Sequence, residues 1–286
     1  MRLVTDRSHG FCAVVSATRG DRLLPLPGSI ETTLADPAAF DRARIAVAAA
    51  DPRDLRELQL SELLPPVRPG KIICIGYNYR HHVPDRVDPT ADDPEFPDVF
   101  LKSPNVLIGP SDAVRLPRTP ADVDYEGEIA IVIGQAAKDV GLEEAAGHIA
   151  GYSIFNDVTA RDWQRRTSQW ALGKSFDTFG ALGPWIVTAD DVPDPHDLLV
   201  EVVRDDVVTV SQSTSTMIFP MDYLVHYLSQ VMTLEPGDII ATGSPQKLPA
   251  AQAGHIPLAP GDAVTVRVAG LGELTTTFSA PGEGPR

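Results

Sequence analysis

Glu126 and Glu128 stand two residues apart in the run Asp124-Tyr125-Glu126-Gly127-Glu128-Ile129-Ala130-Ile131-Val132-Ile133-Gly134. The run reads as a buried β-strand, β-branched and apolar at its far end and closed by a glycine. Successive strand side chains point to opposite faces. The two carboxylates therefore share a face with Ala130 and Val132, and Tyr125, Ile129, Ile131 and Ile133 take the other. Two carboxylates side by side on a strand entering a core repel each other and are costly to desolvate. Glu-x-Glu alone fits a solvated strand end or a pairing with arginine. It also fits a site for a hard divalent cation with oxygen ligands.

A third carboxylate, Asp157, ends a second apolar strand that begins at Gly151, and Val158 to Gln164 then reads as helical. Asp157 serves there either as an N-cap or as a third ligand beside the two glutamates. Three carboxylates plus water suit Mg²⁺ or Mn²⁺, which keep waters and open positions. His82 and Asp85 follow the short apolar strand Lys71 to Gly76, within the polar stretch 77–85. Three apart on one helical turn, they form a dyad with His82 as base and Asp85 orienting it, or they belong to a solvated loop. Pro84 between them opposes a regular helix. Lys102 interrupts an apolar stretch and either snorkels to the surface or faces an anionic ligand. Gly173 to Gly180 lacks Walker spacing and is no phosphate loop. Lys174 within it would stabilise a developing oxyanion if it lies near a metal.

The elements that must position these groups are mostly short strands. Pro236-Gly237-Asp238 and Pro260-Gly261-Asp262 each open one, and a hairpin turns through Asp205-Asp206. Many short strands with Pro-Gly turns and few helices give an α+β, β-rich fold class. Pro37 to Ala50 is predicted helical, with Asp36 as N-cap and Pro37 at the first position. Glu143 to Ala150 is predicted as a short helix, and Ser211 to Thr216 as a hydroxyl-rich loop. Leu224, Tyr227, Leu228 and Val231 have the spacing of a helical core stripe. The stiff connector from Pro65 to Gly70 separates a small N-terminal α+β region, 1–66, from a catalytic domain, 70–283. The acidic, Pro-rich stretch 86–97 is expected to be a surface loop able to close as a lid.

The chain has 286 residues, enough for a sizeable core, and a net charge of −15, which argues against a nucleic-acid partner. No apolar run approaches a membrane span, and the first residues carry no secretory signal. Cys12 and Cys74 read as small core residues in a reducing compartment. A cytoplasmic protein with no membrane partner is expected.

Four motifs in order resemble the fumarylacetoacetate hydrolase family: Tyr-Glu-Gly-Glu at 125–128, Phe-Asn-Asp-Val-Thr-Ala-Arg-Asp at 155–162, Gly-Lys-Ser-Phe-Asp at 173–177, and Leu-Glu-Pro-Gly-Asp-Ile-Ile-Ala-Thr-Gly at 234–243. The resemblance covers about residues 70–280. It implies a mixed β-roll catalytic domain behind a small N-terminal domain, usually in a homodimer. It also implies a divalent metal, Mg²⁺ with Mn²⁺ or Ca²⁺ as alternatives, held by Glu126, Glu128 and Asp157. Lys174 matches the family's active-site lysine. Thr178 matches a residue near the metal, and Gln164 and Thr242 match substrate-side positions; Lys102 joins these as a further substrate-side candidate. His82 matches a histidine on a segment closing over the metal. The sequence departs twice from the family pattern: Asp85 stands where a glutamate is usual, and Ser244-Pro245-Gln246-Lys247-Leu248-Pro249 replaces a glycine-rich continuation. The expected function is metal-dependent hydrolysis of a C–C bond next to a ketone in a small acylpyruvate-like or diketo acid. The alternatives are a decarboxylase or isomerase of 2-oxo diacids, and a metal- or ligand-binding protein without catalysis.

Overall fold

The computed structural model describes residues 1–17, 20–80, 82, 93–119 and 121–282. The glutamate-bearing strand spans Gly127–Ile133, and every residue in it is buried. It pairs antiparallel with Ile149–Asp157, Gly127 opposite Asn156 and Glu128 opposite Phe155. On its other side it pairs antiparallel with Ile239–Ala241. A strand with neighbours on both sides and a core on both faces is apolar almost throughout, which is why the run after Glu128 is uninterrupted Ile, Ala and Val.

These strands form the centre of a twelve-stranded sheet. Beyond Ile239–Ala241 lie Ile72–Gly76, in parallel, and then Asp98–Lys102 at the edge. Beyond Ile149–Asp157 lies Gly180–Thr188, which pairs with Arg2–Asp6. Gly10–Ala17, Gly20–Pro25 and Arg56–Glu57 extend the sheet from there. The strands before the 65–70 connector therefore continue the sheet that carries Glu128.

A five-stranded sheet runs Val207–Ser213, Leu199–Arg204, Ala263–Val268, Gly272–Ser279, Ala113–Arg115. Val200, Val202, Val264, Val266 and Val268 alternate onto one buried face. That face meets the glutamate strand at Gly127. A Cβ there would stand 2.5 Å from Val202 Cγ2 and 3.0 Å from Val266. The glycine between the two glutamates is thus a close-packing position between sheets.

Helix Pro37–Ala48 has the expected cap: the Asp36 carboxylate accepts from the Ala38 amide at 3.0 Å. Helix Met221–Val231 buries Met221, Leu224, Val225, Leu228 and Ser229. The predicted stripe is corrected at its end, because Val231, the last helical residue, is 69% exposed. Residues 158–164 are not one helix. Thr159–Ala160 pairs antiparallel with Val123–Asp124, and only Arg161–Gln164 is helical. The β-branched Val158 and Thr159 favour the extended path. The helix cap is Ala160, so Asp157 is a strand terminus and not an N-cap. The helix expected at 143–150 is Leu142–Ala145 followed by a 3-10 turn, and Ile149 already belongs to a strand. The loop expected at 211–216 is strand through Ser213, then a 3-10 turn. Cys12 and Cys74 are both free and buried. Among the described residues no helix is long and apolar enough to cross a membrane.

Gly127→Ala should force the two sheets apart and destabilise the protein by about 1–3 kcal/mol, the usual cost of overpacking. Urea unfolding should show a lower midpoint with an unchanged slope. An unchanged midpoint would mean that the sheets close less tightly than described.

Candidate active site

The paired strands bring three carboxylates to one place. One oxygen from each of Glu126, Glu128 and Asp157 lies within 4.8 Å of the others. Glu126 stands just before the strand, and the Asp157 amide donates to its carbonyl at 2.9 Å. That backbone bond sets the two residues side by side. Glu128 and Asp157 are almost wholly buried, and Glu126 is nearly so.

Three cations answer this charge. Lys174 Nζ lies 2.6 Å from Glu126 Oε2 and 2.5 Å from Asp157 Oδ2. Lys102 Nζ bonds Asp157 Oδ1 and donates to the Val158 carbonyl at 3.0 Å. Arg161, on the short helix after the strand pair, bonds Glu126 Oε1 through Nη1 and donates to Asp124 Oδ2 from Nε and Nη2 at 3.1 and 2.9 Å. Burial works to raise the Glu126 carboxyl, but Lys174 and Arg161 outweigh it and hold the group well below the ordinary carboxylate range. Burial likewise opposes the Lys174 charge, and Asp157 and Glu126 overcome it, so the ammonium holds its proton more firmly than usual. Lys102 goes the other way: complete burial pulls it down despite Asp157.

Glu128 differs from its neighbours. It is 1% exposed and has no ion-pair partner among the described residues. Its Oε2 accepts from the Gly243 amide at 2.9 Å. Burial first, then Asp157 and Glu126, push its carboxyl well up. A buried carboxylate without a counterion, beside two more, is the chemistry of a site that takes a cation. The donors are all oxygen, which suits Mg²⁺, Mn²⁺ or Ca²⁺ rather than a softer metal. Gly243 is required for that contact: its φ is +93°, and a Cβ would stand 2.9 Å from the Ile75 carbonyl.

His82 faces the same cavity. Its Nδ1 is 2.8 Å from the Ser244 carbonyl and must donate there, which leaves Nε2 as the acceptor. Burial lowers its basicity, and the Ser244 bond offsets this only in part. The segment is anchored by Asn78, whose Nδ2 donates to Phe219 O at 3.1 Å and Thr242 O at 2.9 Å. Asp85, expected to orient His82, and most of the expected lid at 86–97 lie outside the described residues.

The cavity measures about 970 Å³. Glu126, Glu128, Lys174, His82, Gln164 and Arg161 line it. Tyr77, Phe100 and Trp170 form an aromatic wall, Trp170 edge-on to both other rings at 5.6 and 5.5 Å. Lys102, Thr178 and Thr242 do not reach this cavity. Lys102 lies behind Asp157. The Thr178 hydroxyl accepts from the Arg115 amide at 2.8 Å, and the Thr242 hydroxyl donates to the Ile129 carbonyl at 3.0 Å. Arg161 and Asp124 went unassigned in the sequence, although Arg161 sits inside the 155–162 motif and Asp124 directly precedes the 125–128 motif; their pairing depends on the unforeseen bridge between Thr159–Ala160 and Val123–Asp124.

The fumarylacetoacetate hydrolase C-terminal family model matches residues 71–279. The chain belongs to the fumarylacetoacetate hydrolase family. This family member is 39% identical over 239 residues to the human protein named oxaloacetate tautomerase FAHD2A, mitochondrial, covering 83% of this chain and 75% of that one. A solved 5-carboxymethyl-2-hydroxymuconate delta-isomerase from Mycobacterium smegmatis matches with a TM-score of 0.77 at 33% identity, over 98% of this chain and 100% of that one. A maleylpyruvate hydrolase from Sphingobium sp. SYK-6, solved with manganese(II) and pyruvate, also gives 0.77, at 30% identity over 98% and 100%. The β-rich α+β class expected from the sequence is the fold of these structures.

Mn²⁺ should raise the melting temperature of the purified protein, by the equivalent of about 2.7 kcal/mol at a free metal concentration a hundred times Kd. Glu128→Gln should lose that shift while leaving the metal-free protein at least as stable, because burial and the neighbouring carboxylates already disfavour a charge there. A full Mn²⁺ shift in the variant would contradict the assignment.

Proposed function

We propose that this family member is a divalent-metal-dependent hydrolase that cleaves a C–C bond next to a ketone in an acylpyruvate-like or diketo acid. One observation carries the reading. Glu126, Glu128 and Asp157 converge beside a cavity that also receives the Lys174 ammonium and the His82 ring, whose Nε2 has no partner among the described residues. Glu126, Glu128 and Asp157 would hold Mg²⁺ or Mn²⁺, which supplies Lewis acidity toward the oxygens of a 2-oxo acid.

In this reading the chain's own groups do the rest. His82 Nε2 takes a proton from water as the water oxygen attacks the ketone carbon. Lys174 supports the negative charge on the carbonyl oxygen. The C–C bond then breaks, and the proton held by His82 returns to the departing carbon. Tyr77, Phe100 and Trp170 exclude water from the apolar side of the substrate. A cavity of about 970 Å³ is larger than a four-carbon acid needs and favours a substrate with an acyl extension.

A second reading, keto–enol tautomerisation or isomerisation of a 2-oxo diacid, is supported by the 39% identity to a named oxaloacetate tautomerase. It uses His82 and the cation in the same places but needs no attacking water. A homodimer belongs to the proposal as well: the sheet-edge strand Asp98–Lys102 shows Val99 and Leu101 to solvent.

Mass-resolved product analysis on acylpyruvates and oxaloacetate, with Mg²⁺ and with chelator, separates these readings. Two organic products, an acid and pyruvate, support hydrolysis. One product of unchanged mass supports the second reading, and CO₂ marks a decarboxylase. Turnover of nothing contradicts both enzymatic readings. His82→Asn should lower kcat about 10²–10⁴-fold, the usual contribution of a general base. The wild-type rate should fall on acidification only below the ordinary histidine value of 6.5, because burial lowers His82 and it must be neutral to act. An acid limb centred above 6.5 would contradict that role.

A further inference from the structure

The segment that replaces the family's glycine-rich continuation carries Lys247 into the same cavity. Its side chain is only 16% exposed. The ammonium bonds Asp124 Oδ1 and lies 4.0 Å from the Tyr125 ring centroid. Asp124 already receives the Arg161 guanidinium on its other oxygen. Two cations therefore share one carboxylate, while Arg161 also serves Glu126. Arg165 lines the cavity, is exposed, and has no side-chain partner among the described residues. Among the described residues the cavity wall thus holds four cations, Arg161, Arg165, Lys174 and Lys247, against three carboxylates, Asp124, Glu126 and Glu128. Behind the wall, Lys102 and Asp157 balance each other. The described lining is cationic before any metal is counted, and a divalent cation increases the excess. A monoanion leaves it uncompensated; a dianion comes closer to balance.

From this we infer that Lys247 is a specificity-determining residue that selects a 2-oxo acid bearing a second, distal carboxylate. The inference rests on the functional reading above, in which the 2-oxo end sits at Glu126, Glu128 and Asp157. The distal carboxylate exchanges with Asp124 for the Lys247 ammonium, and Arg161 keeps Asp124 paired when it does. The Tyr125 ring holds the ammonium in place during the exchange. If Lys247 served only to pin its own segment, it would act on all ligands alike.

The test uses the full-length protein loaded with Mn²⁺ and two probes of equal chain length, 2-oxopentanedioate and 2-oxopentanoate, which differ in the terminal carboxylate. Calorimetric titration gives Kd for each without turnover. The wild type should bind the diacid about tenfold or more tightly than the monoacid, as a charge-assisted contact provides. Lys247→Met should erase most of that preference, and Lys247→Arg should restore it; circular dichroism melts confirm that both variants fold. An unchanged preference in Lys247→Met, or equal weakening of both probes, overturns the inference and leaves the metal-site reading standing. Binding of neither probe by the wild type overturns the metal-site reading, and this inference with it.

Discussion

Four carboxylates lie at one end of a buried sheet, and the structure around them is arranged to make that tolerable. Asp124, Glu126, Glu128 and Asp157 are all in or beside strands whose other residues are mostly apolar. Isolated, each would cost several kcal/mol to ionise in such a place. Lys102, Lys174, Arg161 and Lys247 answer them, and most of these groups carry two bonds at once. Glu128 is the member without a cation, and it faces the cavity. The electrostatic debt of the site is thus concentrated at the point where a metal ion would be useful.

The same groups tie distant parts of the chain together. Lys102 comes from the sheet edge, Lys174 from a short helix, and Gly243, which donates to Glu128, from the loop after Ile239–Ala241. Asn78 bonds the backbone of that loop and of Phe219, and Ser244 takes the His82 proton donor. The segment bearing the proposed base is therefore registered against the segment that touches Glu128. Movement of one is felt by the other through side-chain-to-backbone hydrogen bonds of Asn78 and His82.

Much of this was legible from residue types. Alternation on a strand placed Glu126 and Glu128 together, and the end of a second apolar run pointed to Asp157. Residue type and place raised His82 and Lys174, and the family resemblance matched both. What alternation and spacing could not supply was long-range pairing. Lys102 was open between a surface residue and a ligand contact, and the structure places it inside, behind Asp157. Its role depends on which strand it faces, and no local pattern carries that. Arg161 was hidden because Val158 to Gln164 reads as one helix; the extended pair at Thr159–Ala160 turns the guanidinium back toward Asp124 and Glu126. Val231 fits the helical period but falls at the helix end, where the core no longer covers it.

The central claim is that Glu126, Glu128 and Asp157 form one divalent-cation site. The most direct measurement is anomalous scattering at the manganese edge from crystals grown with Mn²⁺. The account predicts a single strong peak within coordination distance of all three carboxylates, with the Lys174 ammonium displaced from its present position between Glu126 and Asp157. A peak elsewhere, or Lys174 still bridging the two carboxylates with no peak beside Glu128, would contradict it.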